Sequence, residues 1–89
     1  MQRKDIDTMR RARDIGGLIG ALGDPDENIR LTAAEALSSV GDEQAMEPLE
    51  RLKFSDPAAE VRQAASLAHA RVAGRLAQRK EIETWRLQT

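Results

Sequence analysis

The chain contains no cysteine and no tyrosine, and only one phenylalanine and one tryptophan. Without thiols there is no disulfide framework, thiolate zinc site, iron–sulfur cluster or cysteine nucleophile. So few aromatics leave little for a β-rich core or for a surface that stacks on nucleobases. No stretch approaches the ~20 apolar residues of a membrane span. The N-terminus, Met1-Gln2-Arg3-Lys4-Asp5, begins basic but no apolar h-region follows, so a secretory signal is not expected and a cytoplasmic location is. Phosphate-cradling loops are missing as well, because Gly16-Gly17-Leu18-Ile19-Gly20 lies in a helical pattern with no strand before it.

What remains is rich in helix formers. Fourteen of the 89 residues are alanine, and Leu, Glu, Arg and Gln supply much of the rest. At 40% hydrophobic the chain is too apolar to stay disordered, and its length suits one small all-α domain spanning residues 1–89. The net charge of −1 conceals a strong asymmetry. Residues 1–13 carry +3, residues 14–60 carry −8 and residues 61–89 carry +4. A chain with a basic start, an acidic middle and a basic end could lay its ends over the middle of a second copy.

An internal repeat organises this composition. Asp24-Pro25-Asp26-Glu27-Asn28-Ile29-Arg30 is echoed by Asp56-Pro57-Ala58-Ala59-Glu60-Val61-Arg62. Ala33, Ala36 and Val40 then match Ala65, Ala68 and Val72, while Gly17-Leu18 with Leu22 resembles Pro48-Leu49 with Leu52. Each copy reads as a helical hairpin. Asp24 and Asp56 suit the N-cap, with Pro25 and Pro57 at the first helical position and Glu27 completing a capping-box pattern. Ile29, Ala33, Ala36, Leu37 and Val40 then form one buried stripe, repeated by Val61, Ala65, Ala68 and Val72. Gly41 ends the first of these helices and Asp42 caps the next, which runs from about Glu43 to Phe54 with Ala45, Met46, Leu49 and Leu52 inward. Pro48 within it removes one backbone hydrogen bond and crowds the carbonyl of Gln44, which predicts a kink. Repeat one therefore spans about 14–41 and repeat two about 42–73.

Helical segments at 3–13 and 75–87 flank the two repeats. The first places Ile6 and Met9 on one side and runs into the next helix, with Gly16-Gly17 as the expected interruption. The second lacks the Gly-Asp turn that follows Val40. It either continues the helix that begins at Pro57 or restarts near Arg75, and Gly74 favours a break. Leu76, Ile82, Trp85 and Leu87 give this segment apolar surface without a clean stripe.

The run Leu18-Ile19…Leu22-Gly23-Asp24-Pro25…Ile29-Arg30…Ala33-Ala34…Ala36-Leu37…Val40-Gly41-Asp42…Ala45-Met46-Glu47-Pro48-Leu49 resembles the HEAT repeat, and more narrowly the HEAT-like repeats grouped with phycobilin lyases. The resemblance covers about residues 14–72. It implies antiparallel helix pairs stacked into a short right-handed α-solenoid of two hairpins with extra terminal helices. It also implies that Asp24, Arg30, Asp56 and Arg62 form a hydrogen-bonded ladder between adjacent repeats. The second helix of each hairpin would line the concave face. Positions off the buried stripe there are Leu31, Glu35, Ser38 and Ser39, then Gln63, Leu67, Ala70 and Arg71. Leu31 and Leu67 are apolar where the pattern leaves them outside, so they serve either as filler between repeats or as anchors for a bound segment.

Catalytic signals are absent by comparison. The one imidazole, His69, falls where the first copy has Leu37, and its helical neighbours Ala65, Ser66, Val72 and Ala73 offer only a serine hydroxyl as partner. Iron-dependent hydroxylases built on HEAT-like repeats carry His-Glu pairs, whereas His69 is followed by Ala70. The acidic group Asp24, Asp26 and Glu27 lacks the glycine and distal glutamate of a calcium loop, and capping accounts for it. Arg71, Arg75 and Arg79 recur at i, i+4 and would form a basic ridge, but Glu81, Glu83, the acidic middle and the lack of aromatics argue against nucleic acid. The expectation is a non-enzymatic module with no cofactor, metal or membrane contact, which binds another protein through its concave face or its open ends. A homodimer is one form this could take. An accessory or lyase-like role towards a cofactor-bearing protein is the alternative that the resemblance implies.

Overall fold

A computed structural model describes residues 1–88, with side-chain surroundings given through Arg79. Five helices follow one another: α1 (Arg3–Arg11), α2 (Ile15–Ala21), α3 (Glu27–Val40), α4 (Glu43–Ser55) and α5 (Ala59–Gln88). There is no strand among the described residues. Helices α1, α3 and α5 lie side by side in one layer, α3 touching both of the others, and α2 and α4 form the second layer behind them. The hairpins α2–α3 and α4–α5 are thus stacked neighbours, with α1 packed across the open side of the first.

The core is the seam between the layers. Val61, Ala65, Ala68 and Val72 of α5 are fully buried, as are Ala33 and Leu37 of α3, Leu18 of α2, and Ala45 and Leu49 of α4. Ile29 and Ala36 complete the stripe expected on α3, while Val40, Met46 and Leu52 are only partly covered. Ala34 is also fully buried, so α3 is covered over a wider arc than its single stripe suggested. A helix held between neighbours on several sides needs small residues there, because only short side chains let the axes approach closely. Ile6 from α1 closes the seam at its N-terminal end, at 1% exposure.

Local signals place the helix ends, in several cases away from where the sequence suggested. The N-cap of α3 is Asp26, whose Oδ1 accepts from the Asn28 N–H at 2.8 Å. Asp24 instead accepts from the Asp26 N–H at 2.8 Å and so shapes the preceding turn. Pro25 stands before the helix, and Glu27 is its first residue. The same offset holds in the second copy. Asp56 ends α4 and accepts from the Ala58 N–H at 2.9 Å, Pro57 lies in the turn, and α5 begins at Ala59. Asp42 does cap α4, through the Gln44 N–H at 2.9 Å. Pro48 sits within α4, where the carbonyl of Gln44 loses its intrahelical donor.

The interruption between α1 and α2 falls at residues 12–14, not at Gly16-Gly17, which lie inside α2. The Arg13 N–H donates to Arg10 O at 3.1 Å and the Asp14 N–H to Met9 O at 2.8 Å, the paired bonds of a Schellman motif. Arg13 occupies its left-handed position at φ 55°. Asp14 then caps α2 by accepting from the Gly17 N–H at 3.0 Å. Gly17 belongs there for reasons of space, since a Cβ would meet Asp14 Oδ2 at 2.5 Å and Met9 Sδ at 2.6 Å. A non-glycine residue held in the left-handed region is strained. Arg13→Gly should therefore raise stability by about 1 kcal/mol in urea unfolding, after allowance for the freer unfolded chain.

Nor does a break occur at Gly74. α5 runs unbroken over 30 residues, about 45 Å at helical rise, along the 49 Å long axis of the molecule. Gly74 is exposed and has open space around it, so it neither requires nor causes a turn. One glycine costs a helix only about 1 kcal/mol, which the packing of α5 on α3 and α4 outweighs. The segments expected as 42–73 and 75–87 are thus joined through a single helix. Ile82, Trp85 and Leu87 lie outside the residues whose side chains are described.

Candidate functional site

The α1–α3–α5 layer presents two troughs that share a ridge. Leu31, Glu35, Ser38 and Ser39 of α3 face Gln63, Leu67 and Arg71 of α5 across a trough of about 470 Å³, which Glu60 and Ala64 complete. All seven residues singled out for partner contact line this one feature. The coincidence is geometric: 3.6-residue periodicity turns 31, 35 and 38 to the same side of α3, and 63, 67 and 71 to the facing side of α5. Leu67 is 54% exposed and Leu31 is half-buried, so Leu67 in particular does not act as filler between the repeats. Ala70, also placed off the stripe, is exposed but lies outside the trough lining.

The second trough, of about 260 Å³, lies between α1 and α3, and sequence reasoning missed it. Ile6, Asp7 and Arg10 face Thr32, Glu35, Ala36 and Ser39. Glu35 and Ser39 thus stand on the ridge of α3 between both troughs. The usable signal was the i, i+4 relation of Ile6 and Arg10, which puts an apolar and a basic group on one face of α1. Asp7 is already committed there. Its carboxylate accepts from Arg10 Nη2 at 2.7 Å and lies 3.0 Å from Arg11 Nε. The Arg10 hydrogen bond is the first cause that holds this carboxyl below its ordinary range.

The floor of the first trough is pinned by arginines. Arg71 Nη1 donates to Ser38 Oγ at 3.2 Å, and Ser38 is buried. Arg75 Nη1 and Nη2 donate to the carbonyls of Ser38 and Gly41 at 2.7 and 2.9 Å, which satisfies the unpaired C-terminal end of α3. Arg71 and Arg75 therefore do not belong to a free basic ridge with Arg79. Both turn towards α3 and tie the trough walls together. By contrast, the trough carboxylates Glu35 and Glu60 form no ion pair among the described residues.

The four residues assigned to a ladder meet at the other end of the α3–α5 interface. Arg30 Nε and Nη2 donate to Asp56 Oδ2 and Oδ1 at 2.7 and 3.3 Å, across 26 residues of sequence and from one hairpin to the next. Arg30 Nη1 also donates to the carbonyls of Asp24 and Pro25, and Arg62 Nη1 donates to the carbonyl of Asp56 at 2.7 Å. Asp24 thus contributes its backbone, not its carboxylate, to this network. Burial alone would raise the Asp56 carboxyl, but the Arg30 guanidinium, the Ala58 N–H and the nearby Arg62 charge together hold it below the ordinary value. The same pairing raises the already high basicity of Arg30. His69 is half-buried on α5 and lines none of the cavities described here.

Two layers of stacked helix pairs, tied by an Arg–Asp bridge between successive turns, define an α-solenoid module. The family model for HEAT repeats matches residues 6–70, and the chain belongs to the HEAT-repeat family. The match begins within α1, consistent with α1 standing in the layer of α3 and α5. No curated protein and no solved structure gives a significant match to the chain. No helix among the described residues is long and apolar enough to cross a membrane.

Proposed function

We propose that this protein is a non-enzymatic interaction module that holds a segment of another protein along the α1–α3–α5 face. The observation that carries this reading is the α3–α5 trough. It has an exposed Leu67 and a half-exposed Leu31 amid Glu35, Glu60, Gln63 and Arg71, an apolar anchor strip with a polar rim. Such a surface suits an extended or helical segment with apolar residues at its centre. The bearing of HEAT repeats on protein interaction agrees with this but names no partner.

The narrower likeness to phycobilin-lyase-type repeats would add the handling of a cofactor-bearing protein. A trough open along its length, with its arginine hydrogen-bonded into the fold, favours holding a partner over chemistry on a cofactor. Pairing of two copies draws support from the charge asymmetry and from α5, which is more than twice the length of α3 or α4. Equilibrium sedimentation at tens of micromolar should then show a dimer whose association weakens with added salt, and a monomer would dismiss it.

The trough itself is tested by recovery of a partner from the source cell with the native chain, Leu31→Glu and Leu67→Glu. A carboxylate at either position buries charge against an apolar contact. Each variant should weaken the recovered complex by roughly tenfold or more, about 1.4 kcal/mol. Leu67 is exposed, so Leu67→Glu should leave thermal unfolding nearly unchanged, and full recovery with both variants would remove the trough from the function.

A further inference from the structure

One concentration of charge lies outside the lining of both troughs. Arg13, Arg75 and Arg79 line a cavity of about 440 Å³ where the end of α3, the start of α4 and the middle of α5 meet. The only acidic residue in that lining is Asp42, and its Oδ1 already accepts from the Gln44 N–H. The site therefore carries a formal charge of +2, while the positive end of α4 and the negative end of α3, which both border it, offset one another. Ile15 and Leu76 give the cavity apolar walls, which strengthen electrostatic attraction inside it.

The three guanidiniums are placed by different means. Arg75 is fixed by the Ser38 and Gly41 carbonyls, which consume hydrogen bonds but leave its charge intact. Arg13 is aimed by the left-handed turn after α1, where glycine would be the unstrained residue. Arg79 is exposed on the next turn of α5. Among the described residues neither Arg13 nor Arg79 is paired with a carboxylate. Arg13, Arg75 and Arg79 thus line one cavity with a single, already engaged carboxylate, a balance that favours an anion there.

We propose that this cavity binds a phosphomonoester group. Such a group carries about −1.5 to −2 at neutral pH and three acceptor oxygens, which matches a +2 site lined by guanidinium forks. A single carboxylate would leave half of the charge uncompensated. The group could be carried by a small phosphate ester or by a phosphorylated side chain of a protein, and the chemistry at the cavity is the same. This site is separate from the α3–α5 trough, which none of the three arginines lines.

The test is amide chemical-shift titration of the full chain at low ionic strength with inorganic phosphate, O-phosphoserine, a short phosphoserine peptide with its unphosphorylated form, and acetate. Saturable shifts are expected with the three phosphate probes, centred on residues 13–15, 41–42 and 75–79. Arg13→Gly combined with Arg79→Gln should weaken binding roughly tenfold or more, while Leu31→Glu leaves it unchanged. Arg13→Gly relieves strain and Arg79 is exposed, so loss of binding in that double variant is not loss of fold, and a thermal melt verifies this. A phosphopeptide much tighter than O-phosphoserine assigns the group to a protein, and equal affinities assign it to a small ester. No saturable shift with phosphate, unchanged affinity in the double variant, or acetate binding as well as phosphate would overturn the proposal.

Discussion

Arg30→Met is expected to cost about 3 kcal/mol of folding stability, because it strands the carboxylate of Asp56 inside the protein. The Asp56 side chain is 2% exposed and that of Arg30 is 14% exposed, so water has little access to the carboxylate that loses its partner. The bridge also joins the two hairpins, and its loss uncouples α3 from the turn that launches α5. Asp56→Asn keeps an acceptor for the Ala58 N–H but removes the charge that Arg30 needs. It should lose a large part of the same stability.

The pH dependence follows from the lowered carboxyl of Asp56. A carboxylate whose folded value lies below its unfolded value of about 3.9 binds fewer protons when folded. Its contribution is complete above that unfolded value and disappears as the pH falls through the folded one. Urea unfolding of the native chain and of Asp56→Asn should differ by a constant amount from about pH 5 to pH 8 and converge below about pH 4. Added salt should change that difference little. The exposed Asp7–Arg11 pair offers the contrast, since its substitution should have a small effect that salt abolishes.

Gly41→Ala should be nearly as costly, at about 2 kcal/mol, or roughly a 10 °C fall in Tm for a domain of this size. The backbone there, at φ −62° and ψ 148°, suits any residue, so dihedral strain is not the reason. Space is. A Cβ would press on the backbone carbonyl oxygen of Leu37 and meet Val72 Cγ2 at 3.0 Å. That carbonyl accepts the Gly41 N–H at 2.7 Å, and the Gly41 carbonyl accepts from Arg75, so the turn is held on both sides. Trimming Val72 to alanine in the Gly41→Ala background should not restore stability, because the harder clash is with backbone. Recovery in that double variant would show that the α3–α4 turn is looser than its hydrogen bonds imply.

The repeat was legible because burial follows helical periodicity closely. Val61, Ala65, Ala68 and Val72 could be placed in the core from spacing alone, and all four are fully buried. The cap positions were ambiguous for a chemical reason: in Asp24-Pro25-Asp26 both carboxylates can accept a backbone N–H, and the structure uses one for the turn and the other for the cap. Arg13 left no readable signal, since the left-handed end of a helix ordinarily shows itself as glycine and two glycines stood three residues on. Gly74 misled in the opposite sense. The helix continues through it because α5 packs along α3 and α4, contacts that join residues far apart in sequence, as when Arg75 reaches the end of α3 over 34 and 37 positions. The α3–α5 trough was readable from two equivalent helix faces, whereas the α1–α3 trough required knowing that α1 joins the same layer.

On the proposed function, partners dock on the α1–α3–α5 layer and not on the opposite one. A photo-crosslinking amino acid placed at Glu35, on the ridge between the troughs, tests this most directly when compared with the same residue at Glu50 of α4. Both positions are exposed, so neither placement should disturb the core. A co-purified partner should be joined covalently from position 35, with mass spectrometry placing the link in an apolar-centred segment, and position 50 should give none. Crosslinks from position 50 with none from position 35 would contradict docking on that layer.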